Sequence, residues 1–246
     1  ELFNQVYDKY FVFFGRTKKG GKIYDDINRL KSFSELKNSL YKDGVFSNDT
    51  IIELVIIKGI YDEFYDDNFS RSGLLNILDT LIVNTEIQQL KFIGETVKSK
   101  ITRLLSGYFP PEFELYDSDS NLVKLSDFRG KYVYLNFCTS QSYVCLSEFE
   151  VLKGIYDRHK DKLEIVTISV DPLPRIASNL LESNKWNWKF LYHGNQPHII
   201  KEYDIRAYPT YFLIGPDGKL IYSPSPSPIE DFESMLYKAM KAKGDL

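Results

Sequence analysis

The stretch KYVYLNFCTSQSYVCLSE, residues 131–148, decides the fold. Tyr132 to Phe137 is apolar or aromatic at nearly every position, which is the pattern of a strand covered on both faces. Ile165 to Val170 is a second run of this kind, composed of apolar and β-branched residues. A helical stretch separates the two runs. We therefore predict strands of a sheet that carries helices on both of its sides.

The sequence around these runs supplies the rest of the sheet. Further strand candidates are Phe113 to Tyr116 and Thr210 to Ile214. The run that ends at Val170 belongs to a candidate strand that begins at Leu163. Asp217-Gly218 lies between two short strands and is a hairpin turn signal. A last helix follows the Ser-Pro repeat at 223–228. The predicted order, β, α, β, α, β, β, α, fits one mixed α/β sheet flanked by helices.

The first part of the chain has a different pattern. All ten prolines lie at or after Pro110, and the residues before it repeat apolar positions three and four apart. These helical stripes are Leu2 to Phe11, Leu54 to Phe64, Leu74 to Leu81 and Leu90 to Leu104, the last with Thr85 as its predicted N-cap. We predict an all-helical domain over residues 1–106 and the α/β domain over 107–246.

Composition limits the function. The chain has 246 residues, 26% of them charged and 43% hydrophobic, with a net charge of −3. Charges of both signs are interspersed, so neither nucleic-acid binding nor a basic membrane patch is indicated. The longest apolar runs are far below the roughly 20 residues of a membrane span. The first residue is Glu1, without a charged leader or cleavage site, so we expect any export signal to have been removed already.

Two cysteines are too few for a disulfide framework. They also lack further cysteine or histidine partners at metal-ligand spacing, so neither a metal site nor another cofactor is predicted. Cysteine in this chain indicates reactive chemistry or simple burial.

Four segments together resemble a known family. They are PPEFELYDSDSNLVKLSDFRGKYVYLNF, SYVCLSE, IVTISVD and YDIRAYPTYFLIGPDGKLI, within residues 107–243. In this order and spacing they are similar to thioredoxin-fold thiol-disulfide oxidoreductases. The group that they resemble is the redoxin (alkyl hydroperoxide reductase/thiol-specific antioxidant) superfamily, exported cytochrome c maturation type. The resemblance implies a thioredoxin-like α/β fold behind the helical domain.

That family needs two cysteines as C-x-x-C at a helix N-terminus. The first is the exposed attacking thiolate, and the second resolves the mixed disulfide. Here the motif is S-x-x-C, with Ser142 in the first position and Cys145 in the second. A serine hydroxyl cannot exchange a disulfide, so the resemblance implies a degenerate site without ordinary dithiol activity. An engineered Ser142 would look identical in the sequence.

The resemblance also assigns residues around this motif. Glu148 matches a carboxylate that lies beside the family's active site and helps proton transfer from the second thiol; a helix-surface charge is the alternative. Pro209, after Tyr208, matches the family's cis-proline, whose flanking backbone pairs with substrate chains. A substrate-binding groove at Tyr208 and Pro209 is therefore expected.

Other interpretations of the cysteines stay open. Peroxiredoxins share the fold and carry P-x-x-x-[TS]-x-x-C, of which Ser142 and Cys145 supply the second half. Cys138 stands where the proline belongs, and Arg206 is the only candidate near Tyr208-Pro209-Thr210 for the activating arginine. Cys138 itself is predicted to fill the core. A disulfide to Cys145 would require the two Cα atoms to lie within about 7 Å, which the end of a strand and the first turn of a helix need not satisfy. Monothiol exchange through Cys145 is the remaining alternative.

Partner and compartment follow only from the resemblance. It implies a protein partner or a thiol-bearing polypeptide, and export to the periplasm or cell envelope. The oligomeric state and the role of the helical domain are not indicated by the sequence.

Overall fold

A computed structural model describes residues 21–42, 44–173, 175, 176, 179, 186–194 and 196–245. Contacts between Cα atoms divide the chain into two units, Glu1–Thr102 and Arg103–Leu246. The domain boundary that the change of sequence pattern predicts, after residue 106, stays a prediction. The stripe from Leu2 to Phe11 lies outside the described residues.

The described part of the first unit is helical. Its helices are α1 (Gly21–Asp25, continued by a π-helical turn at Asp26–Leu30), α2 (Phe33–Lys42), α3 (Asp49–Glu63), α4 (Arg71–Asn84) and α5 (Gln88–Thr102). Side-chain caps begin two of them: Asn48 accepts a hydrogen bond from the Ile51 amide, and Ser70 accepts one from the Gly73 amide. The predicted helical character of this region is therefore confirmed.

Thr85 was wrongly predicted as the N-cap of α5. It ends α4 instead, because its backbone N–H donates to the carbonyl of Leu81. Its hydroxyl donates to the buried carboxylate of Glu53 (2.8 Å), to which Lys37 also donates from the other side (2.8 Å). The hydroxyl thus satisfies a buried charge rather than capping a helix, and α5 begins three residues later, at Gln88.

The second unit contains one mixed sheet. Its strands are β1 (Glu114–Asp117), β2 (Leu122–Lys124), β3 (Tyr132–Cys138), β4 (Leu163–Ser169), β5 (Lys189–Tyr192), β6 (Thr210–Ile214) and β7 (Leu220–Ser225). Their order is β2-β1-β5-β4-β3-β6-β7, with β3, β4 and β5 parallel and the other neighbours antiparallel. The predicted mixed α/β sheet is confirmed, and β3 lies inside it.

Helices cover both faces of this sheet. They are α6 (Tyr143–His159), α7 (Pro197–Glu202) and α8 (Phe232–Lys243). Side chains of β3 alternate between two cores, so that Tyr134 and Cys138 pack with residues of α6 and α8, whereas Leu135 packs on the face of α7. Every residue of β3 is buried, as its unbroken apolar sequence predicts. The end of β3 is therefore a fixed point from which the chain enters α6.

The sequence did not predict β2 and β5. Each is short, three and four residues respectively. β5 pairs with β4 at Phe190 and Leu191 and closes the gap to β1. Such short segments acquire their strand character from these neighbours rather than from a pattern of their own.

Among the described residues, no helix is both long enough and apolar enough to cross a membrane.

Replacing Leu135, which is fully buried in the middle of β3, tests this account of the core. Leu135→Ala should lower the free energy of unfolding by about 2–5 kcal/mol, because a cavity replaces the lost side chain. Urea unfolding followed by tryptophan fluorescence measures the loss. Both tryptophans, Trp186 and Trp188, lie in the core of the sheet unit, so their signal reports on that unit.

Val151→Ala on α6 is the matched control, since Val151 is 39% exposed. It should change the free energy of unfolding by no more than about 0.5 kcal/mol. Equal effects of the two substitutions would contradict the assignment of β3 to the core.

Candidate active site

The connection between β3 and α6 carries the S-x-x-C motif. The strand ends at Cys138, and the helix begins at Tyr143 with Ser142 as its N-cap. The Ser142 hydroxyl oxygen accepts a hydrogen bond from the backbone N–H of Cys145 (3.3 Å). The motif therefore begins a helix, where backbone N–H groups and the helix dipole favour a negative charge.

Ser142 also meets the predicted proline segment. Its hydroxyl donates to the carbonyl oxygen of Tyr208 (3.4 Å), and the Tyr208–Pro209 peptide bond is cis. The pKa of Tyr208 is raised by burial and by the charge of Cys145. The structure thus brings the Ser142–Cys145 motif to the Tyr208–Pro209 segment, which lies more than 60 residues further along the chain.

Cys145 is fully buried, yet its thiol is acidic. Its pKa is lowered to about 7, first by a hydrogen bond from the Cys138 thiol. Burial opposes this effect, the Ser142 hydroxyl and the Thr139 backbone N–H support it, and the charge of Glu148 opposes it. At neutral pH a substantial fraction of Cys145, about half, is therefore a thiolate that is stabilised by nearby donors.

Cys138 has the opposite character. Its pKa lies well above the ordinary value, mainly because of burial and then because its thiol donates to Cys145. It is 3% exposed and belongs to the core, as the sequence predicts. The raised pKa keeps the Cys138 thiol protonated near neutral pH.

Glu148 is buried and is not a helix-surface charge. Its side chain is in the buried interior, 3% exposed, and its carboxylate accepts a hydrogen bond from the Tyr211 hydroxyl (2.6 Å). The ring of Tyr211 stacks on that of Tyr134 with centroids 5.0 Å apart. Burial and this carboxylate raise the pKa of Tyr211, which therefore stays a neutral donor.

Asp171 is a site residue that the sequence analysis missed. It is buried at the end of β4, where it accepts hydrogen bonds from the hydroxyls of Thr139, Ser140 and Ser169 (each 2.8 Å) and from the Ser140 amide (3.0 Å). One carboxylate thus fixes the loop that leads to Ser142. The sequence contained one signal for it, namely an acidic residue directly after a predicted buried strand. That strand ends at the same edge of the sheet as β3.

Arg206 does not take the place of a peroxiredoxin arginine. Its guanidinium binds the carboxylate of Asp204 (2.8 Å), and its side chain is 82% exposed. The hydrogen bonds that stabilise a Cys145 thiolate come instead from Cys138, Thr139 and Ser142.

Comparison with known proteins gives the same family in sequence and structure. The model of the AhpC/TSA family matches residues 107–223. The chain is 30% identical over 154 residues to the thiol-disulfide oxidoreductase ResA of Bacillus subtilis (strain 168), a match that covers 62% of this chain and 82% of that protein.

Two solved structures are similar to the sheet unit. One is a thiol:disulfide interchange protein from Bacteroides sp., with 25% identity, a TM-score of 0.51, and coverage of 55% of this chain and 90% of that one. The other is the thioredoxin domain of a thiol-disulfide oxidoreductase from Bacteroides vulgatus, with 24% identity, a TM-score of 0.50, and coverage of 54% and 96%. These likenesses confirm the predicted thioredoxin-like fold.

A pH titration tests the pairing of the two thiols. Thiols ionise as the pH rises, so a lowered pKa means that thiolate absorbance near about 240 nm appears earlier. In the wild-type protein the step should be centred at about 7, against an ordinary thiol value of 9.0. Cys138→Ala removes the donor and should move the step upward.

Cys145→Ser is the control and should abolish the step, because the raised pKa of Cys138 keeps that thiol protonated in this range. A wild-type midpoint near the ordinary value, or one that Cys138→Ala leaves unchanged, would contradict the assignment.

Proposed function

Because the chain belongs to the family of ResA-type thiol-disulfide oxidoreductases, we propose that it is a member that binds polypeptide substrates without exchanging disulfides with them. One observation carries this proposal: the hydroxyl of Ser142 stands at the helix N-terminus where the first sulfur of a C-x-x-C motif is needed. Disulfide exchange begins when a thiolate attacks a sulfur, and a hydroxyl forms no mixed disulfide.

Cys145 does not replace the missing sulfur for a polypeptide substrate. It is 0% exposed, beneath Ser142 in the first turn of α6. A disulfide in a polypeptide chain must place one sulfur in line with the attacking thiolate, and such a chain is too bulky to reach a fully covered atom. Burial therefore argues against monothiol exchange with proteins.

The surface beside Ser142 supports binding. Tyr143 and Val144 follow it at the start of α6 and are 83% and 48% exposed. Tyr208 and Pro209 approach Ser142 from the segment before β6. Apolar side chains next to an irregular backbone segment suit an extended polypeptide, which pairs through its main chain and uses side-chain pockets for selectivity. The proposed groove consists of Tyr143, Val144, Tyr208 and Pro209.

The proposed partner is therefore a protein segment in extended conformation. Export to the periplasm or cell envelope is part of the same proposal. It is supported by the resemblance of the sequence to exported redoxins, and an oxidising compartment is where polypeptides carrying disulfides occur.

Restoring the first sulfur tests the catalytic part. Wild-type protein should leave insulin disulfides intact, whereas Ser142→Cys should reduce them at least about tenfold faster, since the helix N-terminus and Cys145 are already in place. Insulin turbidity with dithiothreitol as the electron donor measures the rate.

Ser147→Cys is the matched control, because it adds an exposed thiol to the same helix without the C-x-x-C spacing, and it should give background activity. Adding Cys145→Ser to Ser142→Cys should abolish the gain. Wild-type turnover equal to that of Ser142→Cys, and retained by Cys145→Ser, would contradict a degenerate site.

Binding is tested separately with carboxymethylated insulin B chain, an extended polypeptide without reactive sulfur. Fluorescence anisotropy of the labelled peptide should show binding by the wild type. Tyr143→Ser should weaken it by about fivefold or more, as expected when an exposed aromatic anchor is removed.

Tyr116→Ser on β1 removes a second exposed tyrosine, 57% exposed, away from the groove. This control should bind as the wild type does. If both variants lose affinity equally, or if the wild type does not bind the peptide, the groove is wrongly assigned.

A further inference from the structure

Asp171 lies where two neighbouring strands end, at the edge of the sheet from which the chain enters the groove. β3 and β4 are parallel, and their last residues, Cys138 and Ser169, are paired. The chain therefore leaves both strands at the same edge, and just beyond it the Val170 N–H donates to the Cys138 carbonyl (2.9 Å). Asp171 is the next residue along and is only 2% exposed.

The carboxylate of Asp171 accepts hydrogen bonds from both strand ends. The Ser169 hydroxyl donates to one of its oxygens (2.8 Å) and itself accepts from the Asp171 N–H (3.2 Å). From the end of β3, the Thr139 and Ser140 hydroxyls (2.8 Å each) and the Ser140 N–H (3.0 Å) donate to the other oxygen. All of these groups are donors, so the site suits an ionised carboxylate, which only accepts.

Thr139 and Ser140 are the first two residues of the turn that ends at Ser142. The Ser142 N–H donates to the Thr139 carbonyl (3.1 Å) and closes this turn. The Ser142 hydroxyl then accepts from the Cys145 N–H and donates to the Tyr208 carbonyl. A continuous series of hydrogen bonds thus runs from the buried carboxylate to the groove.

The carboxylate has little room to move. A cavity of about 10 Å³ adjoins it, which is space for roughly one water molecule. The other residues that line this cavity are Cys138, Thr139, Ser140, Phe149, Thr167, Ser169 and Phe190. Close packing therefore keeps Asp171 against the turn.

We propose that Asp171 is a positioning residue of the polypeptide groove. It holds the turn 139–142 so that the Ser142 hydroxyl meets the Tyr208 carbonyl and the start of α6 faces the bound chain. This inference rests on the proposed function, because it concerns the affinity of the same groove. Asp171 is buried and does not touch the polypeptide, so its effect on binding is transmitted by the turn.

Amide hydrogen exchange followed by NMR tests the positioning in the absence of any peptide. Asp171→Asn keeps the size of the side chain but places an NH₂ group opposite donors. The amides of Ser142 and Cys145, whose hydrogen bonds close the turn and cap the helix, should exchange at least about tenfold faster in this variant. The amide of Leu135, in the middle of β3, should exchange as in the wild type.

Asp117→Asn is the matched control. The Asp117 carboxylate also lies at the end of a strand and fixes a turn, since it accepts from the N–H groups of Asp119 (3.0 Å) and Asn121 (2.9 Å). That turn joins β1 to β2. Asp117→Asn should therefore leave the exchange of the Ser142 and Cys145 amides unchanged.

Binding of the labelled, carboxymethylated insulin B chain measures the consequence for the groove. Asp171→Asn should weaken binding by about threefold or more, whereas Asp117→Asn should bind as the wild type does. Thr139→Val combined with Ser140→Ala removes the two hydroxyl donors of the turn. Adding Asp171→Asn to this pair should weaken binding by less than about twofold further, because the route through the turn is already lost.

Circular dichroism checks that each variant folds. If Asp171→Asn does not fold, Thr139→Val alone takes its place, because it keeps the carboxylate and removes a single donor. It should give the same local rise in exchange at Ser142 and Cys145, of smaller size.

Three results would overturn the inference. They are wild-type exchange of the Ser142 and Cys145 amides in Asp171→Asn, equal effects of Asp171→Asn and Asp117→Asn, and an undiminished effect of Asp171→Asn in the Thr139→Val, Ser140→Ala background. The last would mean that Asp171 acts through its charge. A wild-type protein that does not bind the peptide contradicts the proposed groove instead, and the exchange measurement, made without peptide, still decides whether Asp171 positions Ser142.

Discussion

The hydrogen bonds of the Ser142 hydroxyl connect the parts of the site. Its oxygen caps α6 at the Cys145 amide, and its hydrogen is donated to the Tyr208 carbonyl before the cis-proline. One small side chain thereby joins the helix start to the segment that leads into β6. In a C-x-x-C protein that position carries the attacking sulfur. Here it carries the Ser142 hydroxyl, which accepts a hydrogen bond from the backbone N–H of Cys145 but cannot form a disulfide.

The motif therefore has its sulfur atom, that of Cys145, inside the protein rather than at the surface. Cys145 keeps the stabilising environment of a helix N-terminus but lies beneath the surface, and its strongest donor is the neighbouring thiol of Cys138. Asp171 holds the loop that leads from β3 to Ser142. The start of α6 thus exposes the side chains of Tyr143 and Val144, whereas the sulfur of Cys145 is fully buried.

The sequence predicted the strands that are buried on both faces and the helices that bury one apolar stripe. β3 and β4 have mostly apolar or β-branched sequences because nearly all of their residues are buried, and α3 and α4 repeat at helical spacing. β2 and β5 were missed, since three or four residues contain too little pattern. Thr85 was assigned wrongly because its hydroxyl serves a buried carboxylate on another helix.

The contacts of the site were less predictable than its residues. The family resemblance pointed to Ser142, Cys145, Glu148, Tyr208 and Pro209, whose roles stay predictions. The hydrogen bonds of Asp171 depend on how the ends of β3 and β4 lie side by side, which local sequence does not contain. Tertiary placement thus turned an acidic residue at the end of a strand into the group that holds the loop before Ser142.

The most direct test of a closed, inward-facing sulfur site is intact-protein mass spectrometry of native wild-type protein equilibrated with oxidised glutathione. This disulfide is far larger than the cavity beside Cys138. The account predicts no glutathione adduct on the folded protein, and adducts on both cysteines once it is unfolded in urea. Stoichiometric attachment of glutathione to Cys145 in the folded protein would contradict it.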